Sequence, residues 1–124
     1  MRVLVIDDEP DFLGVMSARL SRTGYDVRTA ENGEEGLARM GDLRPDLILL
    51  DILMPGINGF EFCRRLRRDP RFKSIPVIIV TALIQPGHDM AKVCSRIGAQ
   101  DYIAKPFATD RLMGSIHEHA PFSN

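Results

Sequence analysis

Short apolar segments that end in polar side chains recur along this 124-residue chain and constrain its fold more than any other feature. They cover residues 3–6, 47–50, 77–80 and 102–104, and they are rich in Val, Ile and Leu. Segments of this length and composition, bounded by polar or turn residues, are typical of strands buried on both faces of a parallel sheet. Such a sheet requires helices on both sides.

Helix signals lie between these segments, so strands and helices alternate five times. Pro10 fits the first turn of a helix and Gly24 its end, and a second strand follows over residues 25–30. Asn32 and Asn58 each precede a glutamate by three positions, which resembles a capping box at a helix start. This alternation, with short connections, predicts an α/β fold with one parallel sheet covered on both faces.

Composition predicts one ordinary globular domain, over residues 1–120, with a short tail over 121–124. The chain is 44% hydrophobic and 27% charged, and its net charge of −1 provides no general attraction to nucleic acid or an anionic membrane. No apolar stretch reaches the roughly 18 residues of a membrane-spanning helix. Because the first residues lead directly into a predicted strand, we expect no signal peptide, and Cys63 and Cys94 show no CxxC pattern. We therefore expect a cytoplasmic protein with reduced thiols.

The polar residues that follow the strands should meet at one edge of the sheet. They are Asp7, Asp8, Asp51, Thr81 and Lys105. The carboxyl ends of parallel strands share one edge, and open α/β sheets bind their ligands in the crevice outside it. Three carboxylates, a hydroxyl and an amine are therefore expected in one cleft.

The chemistry of this group indicates a metal and phosphoryl site. Close carboxylates repel one another, and a divalent cation with all-oxygen ligands relieves that repulsion. Mg²⁺ is the first candidate and Mn²⁺ the second. Lys105 and Thr81 can hold phosphoryl oxygens. Asp51 is the best nucleophile for an acyl phosphate, because it lies alone on its strand opposite the Asp7-Asp8 pair.

The chain resembles the receiver domain of two-component response regulators. The matching motifs occur in the family's order along almost the whole chain, at residues 5–9 (VIDDE), 50–56 (LDILMPG), 59–61 (GFE), 80–82 (VTA) and 101–107 (DYIAKPF). Each motif alone is weakly specific, and the ordered set is highly specific.

The resemblance implies a flavodoxin-like fold with five helices and strand order 2-1-3-4-5. It also implies that Asp51 accepts a phosphoryl group from the phosphohistidine of a sensor histidine kinase or a phosphotransfer protein. Asp8, Asp51 and the backbone carbonyl of Leu53 would bind the metal directly, and Asp7 would act mainly through a bound water. Such a domain is a regulatory module and at most catalyses its own phosphorylation and dephosphorylation.

The resemblance further implies how phosphorylation is read. Lys105, Thr81 and the backbone N–H of Ala82 would contact the phosphoryl oxygens, while Thr81 and Tyr102 form the switch. The peptide before Pro106 would be cis. The face formed by helix four, strand five and helix five would bind a downstream effector or output domain, with the chain a monomer or a phosphorylation-dependent dimer. A chain ending after helix five suits a stand-alone regulator, which we favour, and it equally suits a receiver cut from a longer protein with a DNA-binding or enzymatic output.

Two other functions use similar chemistry. A haloacid-dehalogenase-like phosphohydrolase also has an Asp nucleophile and Mg²⁺, but its nucleophile lies in a DxD pattern, whereas Ile52 and Leu53 follow Asp51 here. A flavin-binding protein of the same fold needs a Ser/Thr/Gly-rich loop for the FMN phosphate, which the acidic residues 7–9 would repel.

Three further features lead to specific expectations. The spacing from Thr81 to Lys105 exceeds the family pattern, which indicates a lengthened loop over residues 83–89. Leu53 and Leu83, each two positions after a site residue, offer no group to orient an attacking water, so we expect slow self-dephosphorylation. The basic segment 64–73 is interpreted as a solvated helix face.

Overall fold

Five strands and five helices alternate in the computed structural model, which describes residues 1–82 and 89–120. The strands are β1 (Arg2–Ile6), β2 (Asp26–Ala30), β3 (Leu47–Leu50), β4 (Val77–Thr81) and β5 (Asp101–Ala104). The helices are α1 (Pro10–Arg22), α2 (Gly33–Leu43), α3 (Gly59–Arg68), α4 (Met90–Ile97) and α5 (Thr109–His119). β2 begins one residue later than the sequence pattern predicts.

The strands form one parallel sheet in the order β2-β1-β3-β4-β5, which confirms the predicted flavodoxin-like α/β fold. Ile6 at the end of β1 pairs with Ala30 on one side and with Leu50 on the other. Thr81 pairs with Ala104. The strand ends are therefore in register, and the residues that follow them emerge at the same edge.

Two apolar cores cover the two faces of the sheet. Alternate residues of β1 point to opposite faces, so that Leu4 and Ile6 pack in one core and Val3 and Val5 in the other. α2, α3 and α4 complete the first core, and α1 and α5 complete the second. Burial on both faces explains why the central strands are almost continuously apolar.

Both predicted asparagine helix starts are confirmed. The side chain of Asn32 accepts the N–H of Glu35 at 2.7 Å, and that of Asn58 accepts the N–H of Glu61 at 3.0 Å. The reciprocal half of a capping box takes other partners. The Glu35 carboxylate accepts the N–H of Glu31, and the Glu61 carboxylate pairs with two arginines of its own helix.

Cys63 and Cys94 are free and buried, and burial raises the pKa of their thiols to about 12 and about 11. Among the described residues, no helix combines the length and apolar composition that crossing a bilayer requires. Leu83, most of the predicted lengthened loop and the tail over 121–124 lie outside the described residues.

Candidate functional site

Four strand ends bring the central residues of the site together. Asp7 follows β1, Asp51 follows β3, Thr81 ends β4 and Lys105 follows β5. Asp7, Asp51 and Thr81 are only 1%, 5% and 0% exposed. The sheet hydrogen bonding continues into the site, because the N–H of Asp7 donates to Ala30 and that of Asp51 to Ile6. The rigid sheet thus positions the backbone of both acidic residues.

Lys105 is the cation of the site. Its Nζ lies 2.5 Å from Asp7 Oδ2, 3.6 Å from Asp51 Oδ2 and 3.8 Å from Glu9 Oε1. The backbone N–H of Lys105 donates to Thr81, and the Lys105–Pro106 peptide is cis. One amine therefore faces three carboxylates that belong to two different strand ends.

An aromatic ring closes the other side of this amine. The Lys105 Nζ lies 4.0 Å from the centroid of the Phe12 ring, a cation–π contact. Phe12 in turn meets Phe107 edge-on, with centroids 6.3 Å apart. A cavity of about 620 Å³ opens beside these groups, and Val15, 48% exposed, lies on its wall. The site therefore borders an apolar surface on which Val15 and Pro106 are exposed and Phe12 and Phe107 are half-buried.

Burial and charge act in opposite directions on the central pair. Burial raises the pKa of Asp7 above its usual value, although the Lys105 hydrogen bond opposes the shift. Burial lowers the pKa of Lys105, but the hydrogen bond to Asp7 and the charges of Asp51 and Asp7 outweigh it, so its pKa is raised. Lys105 is therefore a permanent cation within a site that has excess negative charge.

Four carboxylates are close enough to share one ion. Asp7, Asp8, Glu9 and Asp51 each offer an oxygen, and these oxygens lie within 4.8 Å of one another. Asp7 and Asp51 are buried, whereas Asp8 and Glu9 are exposed and form the side of the cluster that faces solvent. A set of carboxylates open to water suits a hard divalent cation. No role was assigned to Glu9 from the sequence. Its position directly after Asp7 and Asp8 was the signal that could have indicated a place in this cluster.

The remaining predicted site residues lie around this cluster. The backbone N–H of Leu53 donates to Asp51 Oδ1 at 3.3 Å, and the Leu53 side chain is 54% exposed. Ala82 is exposed at the end of β4. Tyr102 is half-buried and packs against the core beneath α2, α3 and α4. The structure therefore brings Leu53 beside Asp51, while Tyr102 lies on the face of the sheet that α2, α3 and α4 cover.

Comparisons with known proteins agree on one family. The family model named response regulator receiver domain matches residues 3–117. Protein PilH of Pseudomonas aeruginosa is 41% identical over 117 residues, which cover 94% of each chain. The DNA-binding dual master transcriptional regulator RpaA of Synechocystis sp. is 42% identical over 115 residues, and these span 93% of this chain but only 47% of RpaA.

A solved structure extends the likeness to three dimensions. The response regulator protein TrrA of Thermotoga maritima, crystallised in complex with Mg²⁺ and BeF, matches with a TM-score of 0.81 at 36% identity. The match covers 94% of this chain and 96% of TrrA.

Proposed function

The chain belongs to the response regulator receiver family of two-component systems, and from that premise we propose that Asp51 is its phosphoacceptor. A receiver domain is a regulatory signalling module, so the phosphohydrolase and flavin-binding alternatives are not favoured. The observation that carries the proposal is the position of Asp51, which is 5% exposed, 3.6 Å from the Lys105 amine and within the four-carboxylate cluster.

The contacts of the two buried aspartates support different roles for them. Asp7 Oδ2 accepts from Lys105 at 2.5 Å and its Oδ1 accepts the N–H of Glu9 at 3.0 Å, so both oxygens are engaged. Asp51 Oδ2 stands further from Lys105, at 3.6 Å, and its Oδ1 accepts a longer bond, at 3.3 Å, from the N–H of Leu53. A carboxylate with a less engaged oxygen is the better nucleophile, which supports Asp51 over Asp7.

The acidic cluster fits a divalent cation. Asp8, Asp51 and the backbone carbonyl of Leu53 would hold Mg²⁺ directly, and Asp7 would act mainly through a bound water; Mn²⁺ suits the same ligands. When bound, the ion supplies positive charge to the phosphoryl oxygens. The Mg²⁺ and BeF in TrrA, a relative 36% identical, support this assignment.

The other residues orient and stabilise the phosphoryl group. An Asp51 oxygen forms the new O–P bond while the N–P bond of the donor phosphohistidine breaks and its electron pair returns to the imidazole. Lys105, the Thr81 hydroxyl and the Ala82 N–H would contact the phosphoryl oxygens. Burial of Asp51 and Lys105 strengthens these interactions because little water competes for them.

Partners can be assigned by surface. The donor would be a sensor histidine kinase or a phosphotransfer protein. The apolar surface of Phe12, Val15, Pro106 and Phe107 borders the cavity beside Lys105, and the donor's histidine would approach Asp51 from that side. Thr81 and Tyr102 would transmit phosphorylation to the α4-β5-α5 face. That face would bind an effector or output domain, or a second copy in a phosphorylation-dependent dimer. We place this signalling in the cytoplasm, without direct nucleic-acid or membrane contact.

Intact mass spectrometry with acetyl phosphate and Mg²⁺ tests the assignment. We expect one phosphoryl group per chain, labile to hydroxylamine, absent without the metal and absent in Asp51→Asn. Asp42→Asn, an exposed aspartate on α2, is the matched control and should be phosphorylated normally. Full labelling of Asp51→Asn would contradict the assignment, and steady turnover of acetyl phosphate without an adduct would instead support a phosphohydrolase.

A further inference from the structure

The segment that connects Asp51 to α3 rests on the first turn of α2. Glu34, the second residue of α2, accepts the backbone N–H of Ile57 at 2.9 Å, although 23 positions separate them. Two glycines permit this approach. A Cβ at Gly33 would lie 2.6 Å from the Ile57 side chain, and one at Gly56 would lie 2.5 Å from the Glu34 carboxylate. Helix and segment are therefore in direct contact.

The ends of the same segment are held by other bonds. At its start, the Leu53 N–H donates to Asp51 Oδ1. At its end, the N–H of Gly59 donates to Ile52, and a Cβ at Gly59 would lie 2.7 Å from the Asp51 carbonyl oxygen. Between these points the Leu53 side chain is 54% exposed, so packing of that side chain cannot anchor the backbone. Ile52 and Met54 are buried on either side of Leu53, whereas residues 55, 56 and 58 are exposed. The Glu34 bond to the half-buried Ile57 supports the backbone within this exposed stretch.

We propose that Glu34 is a positioning residue for the phosphoryl site, because it holds the connecting segment so that the Leu53 carbonyl remains available beside Asp51. This inference rests on the proposed function, in which that carbonyl is a metal ligand. The carboxylate acts through the backbone and touches neither metal nor phosphoryl group. Hydrogen bonds that orient a ligand from outside its coordination sphere typically change metal affinity about tenfold to a hundredfold.

Charge at Glu34 is compatible with this role. The backbone hydrogen bond from Ile57 lowers the pKa of the carboxyl, which therefore stays ionised at neutral pH. Its place in the first turn of α2 also suits a negative charge. Glu35 shares that turn but accepts from Glu31, on the other side of the helix start. Glu35 therefore provides a control with the same local chemistry and, among the described residues, no hydrogen bond to the segment.

The experiment compares Glu34→Ala, Glu34→Gln and Glu35→Ala for Mg²⁺ affinity by calorimetry and for thermal unfolding without metal. We expect Glu34→Ala to weaken Mg²⁺ binding about tenfold. Glu34→Gln keeps an acceptor oxygen and should recover most of the affinity. Glu35→Ala should bind Mg²⁺ like the wild type, even if its metal-free unfolding temperature falls as far as that of Glu34→Ala.

Equal Mg²⁺ affinity of Glu34→Ala and the wild type would overturn the inference, and so would equal weakening by Glu34→Ala and Glu35→Ala. Labelling with acetyl phosphate separates this result from failure of the proposed function. A wild-type chain that binds no Mg²⁺ or takes no phosphoryl group would overturn the function itself, whatever residue stands at position 34.

Discussion

The balance of charge at the site depends on the amine of one residue. Asp7 and Asp51 are almost fully buried and repel each other, and among the described residues the Lys105 amine is the cation within ion-pair distance of both. Asp7 lies nearer to that amine than Asp51 does, and Phe12 covers its far side. The metal-free protein therefore uses Lys105 to offset a charge that a divalent cation can also offset.

Lys105→Met should destabilise the metal-free protein and spare the metal-bound one. Removing one partner of a buried ion pair leaves an uncompensated charge, so we expect the free energy of unfolding to fall by about 3 kcal/mol without Mg²⁺. Saturating Mg²⁺ should recover most of that loss. Urea unfolding with and without MgCl₂ measures both values, and Lys92→Met, exposed on α4, is the control. A loss that Mg²⁺ does not reduce would contradict the charge-balance argument.

Leu53→Asn should shorten the lifetime of the phosphorylated protein. Leu53 is 54% exposed two positions after Asp51, and an apolar side chain there cannot orient the water that attacks the acyl phosphate. An amide can hold that water, so decay should accelerate about tenfold. The decay is timed by intact mass after removal of the phosphodonor. Leu53→Met preserves the apolar character and should decay like the wild type; equal decay of both variants would exclude the mechanism.

Contacts between elements are the part of this structure that local sequence patterns predict least. The basic segment was interpreted as a solvated face of α3, and for Arg67 this is wrong. Arg67 is half-buried and donates to the carbonyls of Gly98, Ile75 and Lys73, which links α3 to the turn before β5 and to the approach to β4. Glu34 was likewise missed. Each partner lies at least six positions away, and helical periodicity describes only nearer neighbours.

Arg67→Met should destabilise the fold, whereas the same substitution at the neighbouring Arg68 should have little effect. The change leaves carbonyl oxygens of two connections without a charged donor, and hydrogen bonds to charged groups contribute about 1.5–3 kcal/mol each. We expect the free energy of unfolding to fall by about 2–3 kcal/mol rather than by the full sum, because water will replace Arg67 as the hydrogen-bond donor to some of these carbonyl oxygens. Arg68→Met, on the exposed side of α3, should change it by less than about 0.5 kcal/mol. Urea unfolding of the two variants decides.

The link between β5 and α5 should be sensitive to acid. The Asp101 carboxylate accepts from the buried Ser115 hydroxyl at 2.6 Å and pairs with Arg111 at 3.2 Å. Burial alone would raise the pKa of Asp101, but these two bonds and the N–H of Tyr102 together outweigh it and hold the pKa below its usual value. A depressed carboxyl pKa contributes stability that is present above the unfolded value and is lost as pH falls through the folded one.

Wild type should therefore lose more unfolding free energy than Asp101→Asn between neutral pH and about pH 3, since the variant has no proton to gain at this position. Urea unfolding at a series of pH values measures the difference. Asp110→Asn, exposed in the first turn of α5, is the control and should follow the wild-type profile. Parallel curves for wild type and Asp101→Asn would show that this carboxyl is not coupled to folding.

At the scale of the whole molecule, the site joins elements that are distant in sequence. Asp7 and Asp51 follow β1 and β3, which are neighbours in the sheet, and the sheet separates the two cores. The alternation of apolar segments and helix signals was enough to predict this edge and the residues there. The alternation could not predict the strand order, because buried strands have similar hydrophobic patterns. The order was predicted from the motifs shared with the receiver family. The exposed pattern of β2 reflects its place at the sheet edge.

Because its proposed ligands follow two central strands, Mg²⁺ should stabilise the molecule as a unit. A ligand present at about one hundred times its dissociation constant adds about 2.7 kcal/mol to the free energy of unfolding when only the folded state binds. We expect that gain in urea unfolding of the wild type, a much smaller gain for Asp8→Asn, and the full gain for Asp42→Asn. Hydrogen exchange of amides in both cores should slow together, since these amides open mainly by global unfolding. Protection confined to residues 51–58 would instead mean that the metal orders only the segment beside Asp51 and leaves the sheet unaffected.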